Sequence, residues 1–192
     1  MLQPHLIATI NQKVLSLLAK FSDREFYERE VARRLGVSYG SANRALNKLY
    51  STGAVTRRRE GKMYFYSLDF STAAAIEFKK MVNLLLVEPL VEELKKMSNR
   101  IVLFGSCALG TDTSESDLDL FVVSNSKEGV TNAISDFSFP RGYEGIHIQS
   151  VIKTPVELLE EGETQRTFVG EVDRGIVLWE RVAGESRVQP VS

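Results

Sequence analysis

The chain has 192 residues, of which 43% are apolar and 26% charged, the balance of an ordinary globular protein with one large or two small cores. Cys107 is the only cysteine, which excludes an internal disulfide and a thiolate metal cluster. No apolar run reaches the length of a membrane span and MLQPHLIATINQK lacks a signal-peptide pattern, so a cytoplasmic protein without a membrane partner is expected.

The net charge of -1 hides an asymmetry. Residues 1–70 hold 12 Lys/Arg against 6 Asp/Glu, a net +6, while the remainder carries -7. A basic front and an acidic back point to different partners.

In chain order, Leu6, Ile10, Val14, Leu17, Leu18 and Phe21 have helical spacing and predict a first helix over 6–21. A second helix, Tyr27 to Leu35, places Val31, Ala32 and Leu35 opposite Glu28, Arg29, Arg33 and Arg34, and ends at Gly36, a C-cap. Ser38 is the predicted N-cap of a third helix that runs to about Ser51 and is closed by Gly53. Its inner face is Ala42, Ala45, Leu46 and Leu49; its outer face is Tyr39, Gly40, Ser41, Asn43, Arg44, Asn47 and Lys48, without an acidic side chain. Val55 to Leu68 then reads as a hairpin turning at Glu60-Gly61 and carrying Arg57, Arg58, Arg59 and Lys62.

Helix, Gly-containing turn, helix and basic hairpin, in REVARRLGVSYGSANRALNKLYSTGAVTRRREGKMYFYSL, resemble a winged-helix DNA-binding domain of the bacterial and archaeal regulator type over about residues 5–70. The resemblance implies double-stranded DNA as partner. Ser38, Tyr39, Ser41, Asn43, Arg44, Asn47 and Lys48 would lie toward the groove, and Arg57, Arg58, Arg59 and Lys62 would reach phosphates or the minor groove. The alternative is a protein-interaction module with a solvated basic strand.

Residues 71–97 predict two helical pieces. The first, capped by Ser71, ends near Val87 and is apolar enough for either a homodimer contact or packing on its own front domain. The second starts at Glu88 with Pro89 in its first turn, and Leu90, Val91, Leu94 and Met97 form a face for the sheet beyond.

Ile101 to Phe104 reads as a buried strand broken at Gly105-Ser106, and Asp117-Leu118-Asp119 leads into a second apolar run, Leu120 to Val123. Strand alternation sends Asp117 and Asp119 to one side and Leu118 and Leu120 to the other. Two adjacent carboxylates repel, and a hard cation such as Mg²⁺ relieves that. Gly105 permits close approach of a ligand, and Ser106 adds a hydroxyl beside backbone amides that suit a phosphate.

Phe104-Gly105-Ser106, ten residues, then Asp117-Leu118-Asp119-Leu120, with Ser116 ahead, resembles the signature of the polymerase-β-type nucleotidyltransferases in minimal form. That resemblance implies a nucleoside triphosphate as ligand. Asp117 and Asp119 would be catalytic residues and ligands of Mg²⁺, and Gly105, Ser106 and Ser116 would contact the nucleotide. It also implies a third carboxylate on a following strand. Ile146 to Ile152 is that strand, and the matching position falls at about Gln149, with His147 next on the same face; neither is a carboxylate. Glu144 could substitute only with an earlier strand or a shifted register.

Lys127 to Phe137 predicts a short helix, Phe139-Pro140-Arg141-Gly142 a turn, and Thr154-Pro155-Val156-Glu157 a capping box opening a helix to about Glu161. Gly175 to Glu180 is a short strand or helix end. The expected organisation is α/β (α+β): a winged-helix domain at 1–70, a helical linker at 71–98, a small nucleotidyltransferase domain with a mixed sheet at 99–182, and a loose tail at 183–192. Three functions fit it: a regulator whose nucleotide-binding domain has lost catalysis, an active Mg²⁺-dependent transferase of NMP to an acceptor, or an antitoxin-like interaction module.

Overall fold

A computed structural model describes residues 1–160 and 166–181 as a mixed α/β chain with two sheets. The first helical segment divides in two. A short turn of helix, α1 (Gln3–Leu6), precedes α2 (Ile10–Lys20). The break falls at Thr9 because a capping box starts the helix there: Gln12 N donates to Thr9 Oγ1 at 3.3 Å and Thr9 N donates to Gln12 Oε1 at 2.9 Å.

Strand β1 (Phe26–Tyr27) runs directly into α3 (Glu28–Leu35), which Gly36 ends with φ 64°, the left-handed conformation expected of a C′ glycine. Helix α4 (Tyr39–Ser51) is capped by Ser38, whose Oγ accepts from Ser41 N at 3.1 Å. The hairpin follows as β2 (Thr56–Glu60) and β3 (Met63–Ser67), and the sheet order is β1-β3-β2. Val14, Leu17, Leu18, Val31, Ala42, Leu46 and Tyr66 form the buried core of this front unit.

The two pieces expected over 71–97 are one continuous helix, α5 (Ala73–Leu94), with Pro89 inside it. Its cap is Thr72 rather than Ser71; Thr72 Oγ1 accepts from Ala75 N at 3.3 Å, while Ser71 N bonds the Asp69 carboxylate. An internal proline costs a helix about 3 kcal/mol. Val87, Leu90, Val91 and Leu94, all buried around it, each contribute about 2 kcal/mol, which outweighs the interruption. Val82 and Leu86 of the same helix enter the front core, so one helix serves both cores.

The second sheet consists of β4 (Arg100–Phe104), β5 (Leu118–Val123), β6 (Ile148–Lys153) and β7 (Ile176–Glu180) in the order β6-β5-β4-β7. Only β5 and β6 are parallel. Between β4 and β5 the chain makes a short helix, α6 (Gly105–Leu109). Helix α7 (Lys127–Asp136) with α5 covers the face made by Ile101, Leu103, Leu118, Leu120 and Val122. Beyond β6 come α8 (Pro155–Glu160), begun by the expected capping box at Thr154 and Glu157, and α9 (Arg166–Asp173). Val172 of α9 covers the other face, on Val102, Phe104, Phe121 and Val123. The tail expected at 183–192, and the helix end expected at Glu161, lie outside the described residues. No helix among the described residues is long and apolar enough to cross a membrane.

Contacts on two sides join the front unit to the second sheet. The loop before β6 inserts Tyr143 into the front core, stacked on Phe21 at 6.2 Å between ring centroids, and Arg141 donates to the Arg33 carbonyl at 3.0 Å. At the other side Lys20, from the end of α2, reaches Asp112 in the loop that leads to β5, at 2.7 Å, with side chains 1% and 0% exposed. Truncating the buried Tyr143 to alanine leaves a cavity in a core shared by both halves and is expected to cost about 3 kcal/mol, read as the loss of unfolding free energy in urea.

Candidate functional site

The acidic pair sits where strand periodicity puts it. Leu118, Leu120 and Val122 fill the core beneath α5 and α7. Asp119 takes the opposite face with Phe121 and Val123, and Asp117, one residue ahead of β5, has the same parity. Phe104 is Asp119's cross-strand partner, and Gly105 follows it with φ 67°. A Cβ on Gly105 would overlap the Asp119 carboxylate, so this position needs glycine twice over, for its backbone and for the space.

Of the residues expected to contact a nucleotide, Gly105 and Ser106 open α6 beside Asp119. Ser116 is engaged in the loop's own turn: its Oγ accepts from Thr113 N at 2.9 Å. The loop is anchored from outside as well, because Ser114 N and Oγ both donate to the Asp23 carboxylate at 2.7 Å.

In the parallel register of β5 and β6, Gln149 is the partner of Asp119, so the position beside the acid holds a neutral amide. The His147 carbonyl accepts from Leu118 N at 2.9 Å, while its side chain is exposed. Glu144 is excluded as a substitute: β6 begins at Ile148, and Glu144 Oε2 accepts from Gly142 N at 2.9 Å within the turn.

One acidic residue escaped the sequence reading. Glu171, on α9, lies close enough to Asp119 to act on its charge. Helix α9 was not predicted, although Phe168 and Val172, four residues apart, are the trace of its periodicity. Burial above all, and then the Asp117 and Glu171 carboxylates, raise the Asp119 carboxyl above its ordinary value. Among the described residues, no three His, Cys, Asp or Glu side chains converge as a metal site. Cys107 is buried, and burial pushes its thiol up to about 11, so it is no nucleophile at neutral pH.

The basic face lies elsewhere, on α4 and the hairpin. Tyr39, Arg44, Asn47 and Lys48 are exposed. Arg44 donates to Ser41 Oγ at 3.4 Å, and Asn47 Nδ2 donates to Asn43 Oδ1 at 2.9 Å. Ser38 is occupied as the cap. Arg57 is stacked over Tyr50 at 4.0 Å and Tyr64 at 4.4 Å and donates to Asn47 Oδ1. Arg58 is ion-paired with both Glu25 and Glu60 at 2.7 Å, so its charge is largely compensated within the protein. Arg59 donates to the Gly61 carbonyl, and Lys62 is exposed. A groove of about 740 Å³ between α4 and the hairpin is lined by Tyr27, Arg29, Tyr39, Asn43, Lys62 and Tyr64 among others.

The raised Asp119 carboxyl sets a pH dependence. Its ordinary value is 3.8. Between 3.8 and the higher native value the folded chain binds more protons than the unfolded one, so stability falls as pH rises through that window, and the penalty persists above it. D119N is therefore expected to melt at a higher temperature than the parent at pH 7 without added divalent ions, and the gain should vanish below pH 3.8, as read by thermal denaturation across pH.

No curated protein matches the chain. Two solved structures resemble parts of it. Reduced HlyU from Vibrio cholerae shares 30% identity over 38% of this chain and 72% of its own, with a TM-score of 0.30. A candidate nucleotidyltransferase from Sulfolobus solfataricus shares 17% identity over 59% of this chain and 94% of its own, with a TM-score of 0.38. Residues 87–171, which span the Gly-Ser turn, both acids of the pair, Gln149 and Glu171, match the family model of the nucleotidyltransferase domain.

Proposed function

We propose that this protein is a DNA-binding, regulator-like chain whose nucleotidyltransferase-type domain binds a nucleoside triphosphate with Mg²⁺ at Asp117 and Asp119 but transfers poorly or not at all. One observation carries the reading: the residue registered beside Asp119 on β6 is Gln149, where the family's third carboxylate is expected.

The donors fit a hard divalent cation. Asp119 lies on the face of β5 turned away from the core, and Asp117, one residue ahead of the strand, has the same parity. Burial first, and then the Asp117 and Glu171 carboxylates, raise the Asp119 carboxyl, and a cation would offset both. Bound there, such a cation would neutralise a pyrophosphate leaving group and acidify an attacking hydroxyl. The chain's own part is to hold the triphosphate at Gly105 and Ser106 and to present two carboxylates. Gln149 offers an oxygen without charge, which favours binding over activation of an acceptor.

The front unit supports a nucleic-acid partner through its net +6 over residues 1–70 and an α4 outer face without an acidic side chain. Arg44, Asn47 and Lys48 are the strongest contacts in this reading, with Arg57, Arg59 and Lys62 on the hairpin. Arg58 contributes less, since its guanidinium already faces two carboxylates.

A second reading, an active transferase, rests on Glu171, whose charge acts on Asp119 from α9; Glu171 would then be the third acid.

Isothermal calorimetry with Mg²⁺ and each NTP, paired with incorporation of labelled nucleotide, separates the two. Binding without turnover, lost in D117N, is the expected result. Turnover abolished by E171Q would establish the second reading, and absence of binding would remove both. Replacing the amide by a carboxylate in Q149D is expected to tighten Mg²⁺-nucleotide binding by roughly tenfold, about 1.4 kcal/mol.

A further inference from the structure

The loop from Gly110 to Asp117 connects the Gly-Ser turn to the acidic pair, and besides its own turn it is held by side chains of α2 and α5. Asp112, fully buried, receives Lys20 Nζ at 2.7 Å and Asn83 Nδ2 at 3.0 Å. Lys79 Nζ lies 3.5 Å from the same carboxylate and also donates to the Asp112 carbonyl and to Ser22 Oγ. Lys20 continues to Cys107 Sγ at 3.6 Å, and the Cys107 thiol donates to the Asp117 carbonyl at 3.4 Å. A chain of polar contacts thus runs from the end of α2 through the short helix behind the Gly-Ser turn to the main chain of Asp117.

We infer that Lys20 is a positioning residue for the acidic pair, so that the cation and nucleotide site is assembled jointly by the front helical unit and the second sheet. The inference rests on the nucleotide-binding reading for its consequence but on contacts of this chain for its mechanism. A lysine at the end of a helix normally reaches solvent, because an ammonium loses much hydration on burial. Lys20 is 1% exposed and turned inward onto a loop of the other unit. Lys79 and Asn83 supply the remaining partners from α5, so Asp112 is held on three sides and the loop has little freedom at its centre. Asp23 adds a second tether two residues further on, through Ser114.

The test uses the full chain and its K20M variant. K20M keeps the hydrophobic stem and leaves Asp112 with Lys79 and Asn83, so the fold should persist. Backbone amide exchange of residues 110–118 is expected to accelerate at least tenfold, while amides of α4 and of the β2–β3 hairpin keep parental rates. Mn²⁺ with ATP, followed by electron paramagnetic resonance, should bind about tenfold more weakly. Should K20M unfold, K20Q removes the charge, keeps a donor toward Asp112 and leaves the Lys79–Asp112 pair intact, and is expected to fold with the same loop loosened to a smaller degree. A folded variant with parental exchange over 110–118 overturns the inference. Faster exchange confined to the loop supports it even if the parent binds no Mn²⁺ or ATP, and that second result would count against the nucleotide-binding reading alone.

Discussion

A carboxylate without access to water, held by two ammonium groups that are themselves buried, is the junction on which the two halves of this protein depend. Lys20, Lys79 and Asp112 come from three separate segments, and each is costly to bury alone. Burial lowers the Lys79 ammonium from the ordinary lysine range, and Asp112 works against that shift. Such a cluster contributes little net stability, since desolvation offsets most of the attraction, but its hydrogen-bond geometry admits one arrangement of the partners. Its consequence is relative placement: the end of α2, the middle of α5 and the loop before β5 meet in one way.

The shared helix reinforces that placement. Val82 and Leu86 of α5 belong to one core while Val87, Leu90, Val91 and Leu94 belong to the other, and Tyr143 returns from the second half into the first. The loop with Tyr143 leads into β6, which carries Gln149, and the loop with Asp112 leads into β5, which carries Asp119. Both strands of the candidate site therefore enter it from segments docked on the helical front unit. The face that would meet nucleic acid and the face that would hold a nucleotide are parts of one packed body, and the acids lie on the sheet surface opposite α5 and α7.

That surface, the candidate site, is only partly covered. The face beneath α5 and α7 is apolar throughout, whereas α9 closes the other with Val172 while Asp119 stays half-buried with Asp117 and Glu171 in its field. Half-burial keeps the carboxylates reachable and raises the cost of leaving their charge uncompensated. The same economy of charge appears on the hairpin in reverse. Three consecutive arginines are equivalent in sequence, yet one is stacked between tyrosines, one is paired with two glutamates, and one is tied to a turn carbonyl.

Local physics made much of this legible in the residues. Gly36 and Ser38 punctuate the helices because a C′ glycine and an N-cap serine act within one turn of chain, and the spacing of Asp117, Leu118 and Asp119 assigns faces because strand alternation is local. Gly105 and Ser106 stood out by backbone freedom and a hydroxyl beside amides, and Gln149 only as the position that the family resemblance implies. What stayed hidden depended on contacts distant in sequence. Pro89 reads as a helix start, and only burial on both sides carries α5 through it. Nothing in the local sequence marks Lys20, Asp112 or Glu171, and Cys107 stands out there only as the single cysteine. Their roles arise when residues 63 to 92 positions apart are brought within hydrogen-bond distance, or when a helix folds back over a sheet. Sequence determined the elements and the acidic pair; the tertiary structure decided what holds that pair in place, because the energy of a buried charge is set by its neighbours in space.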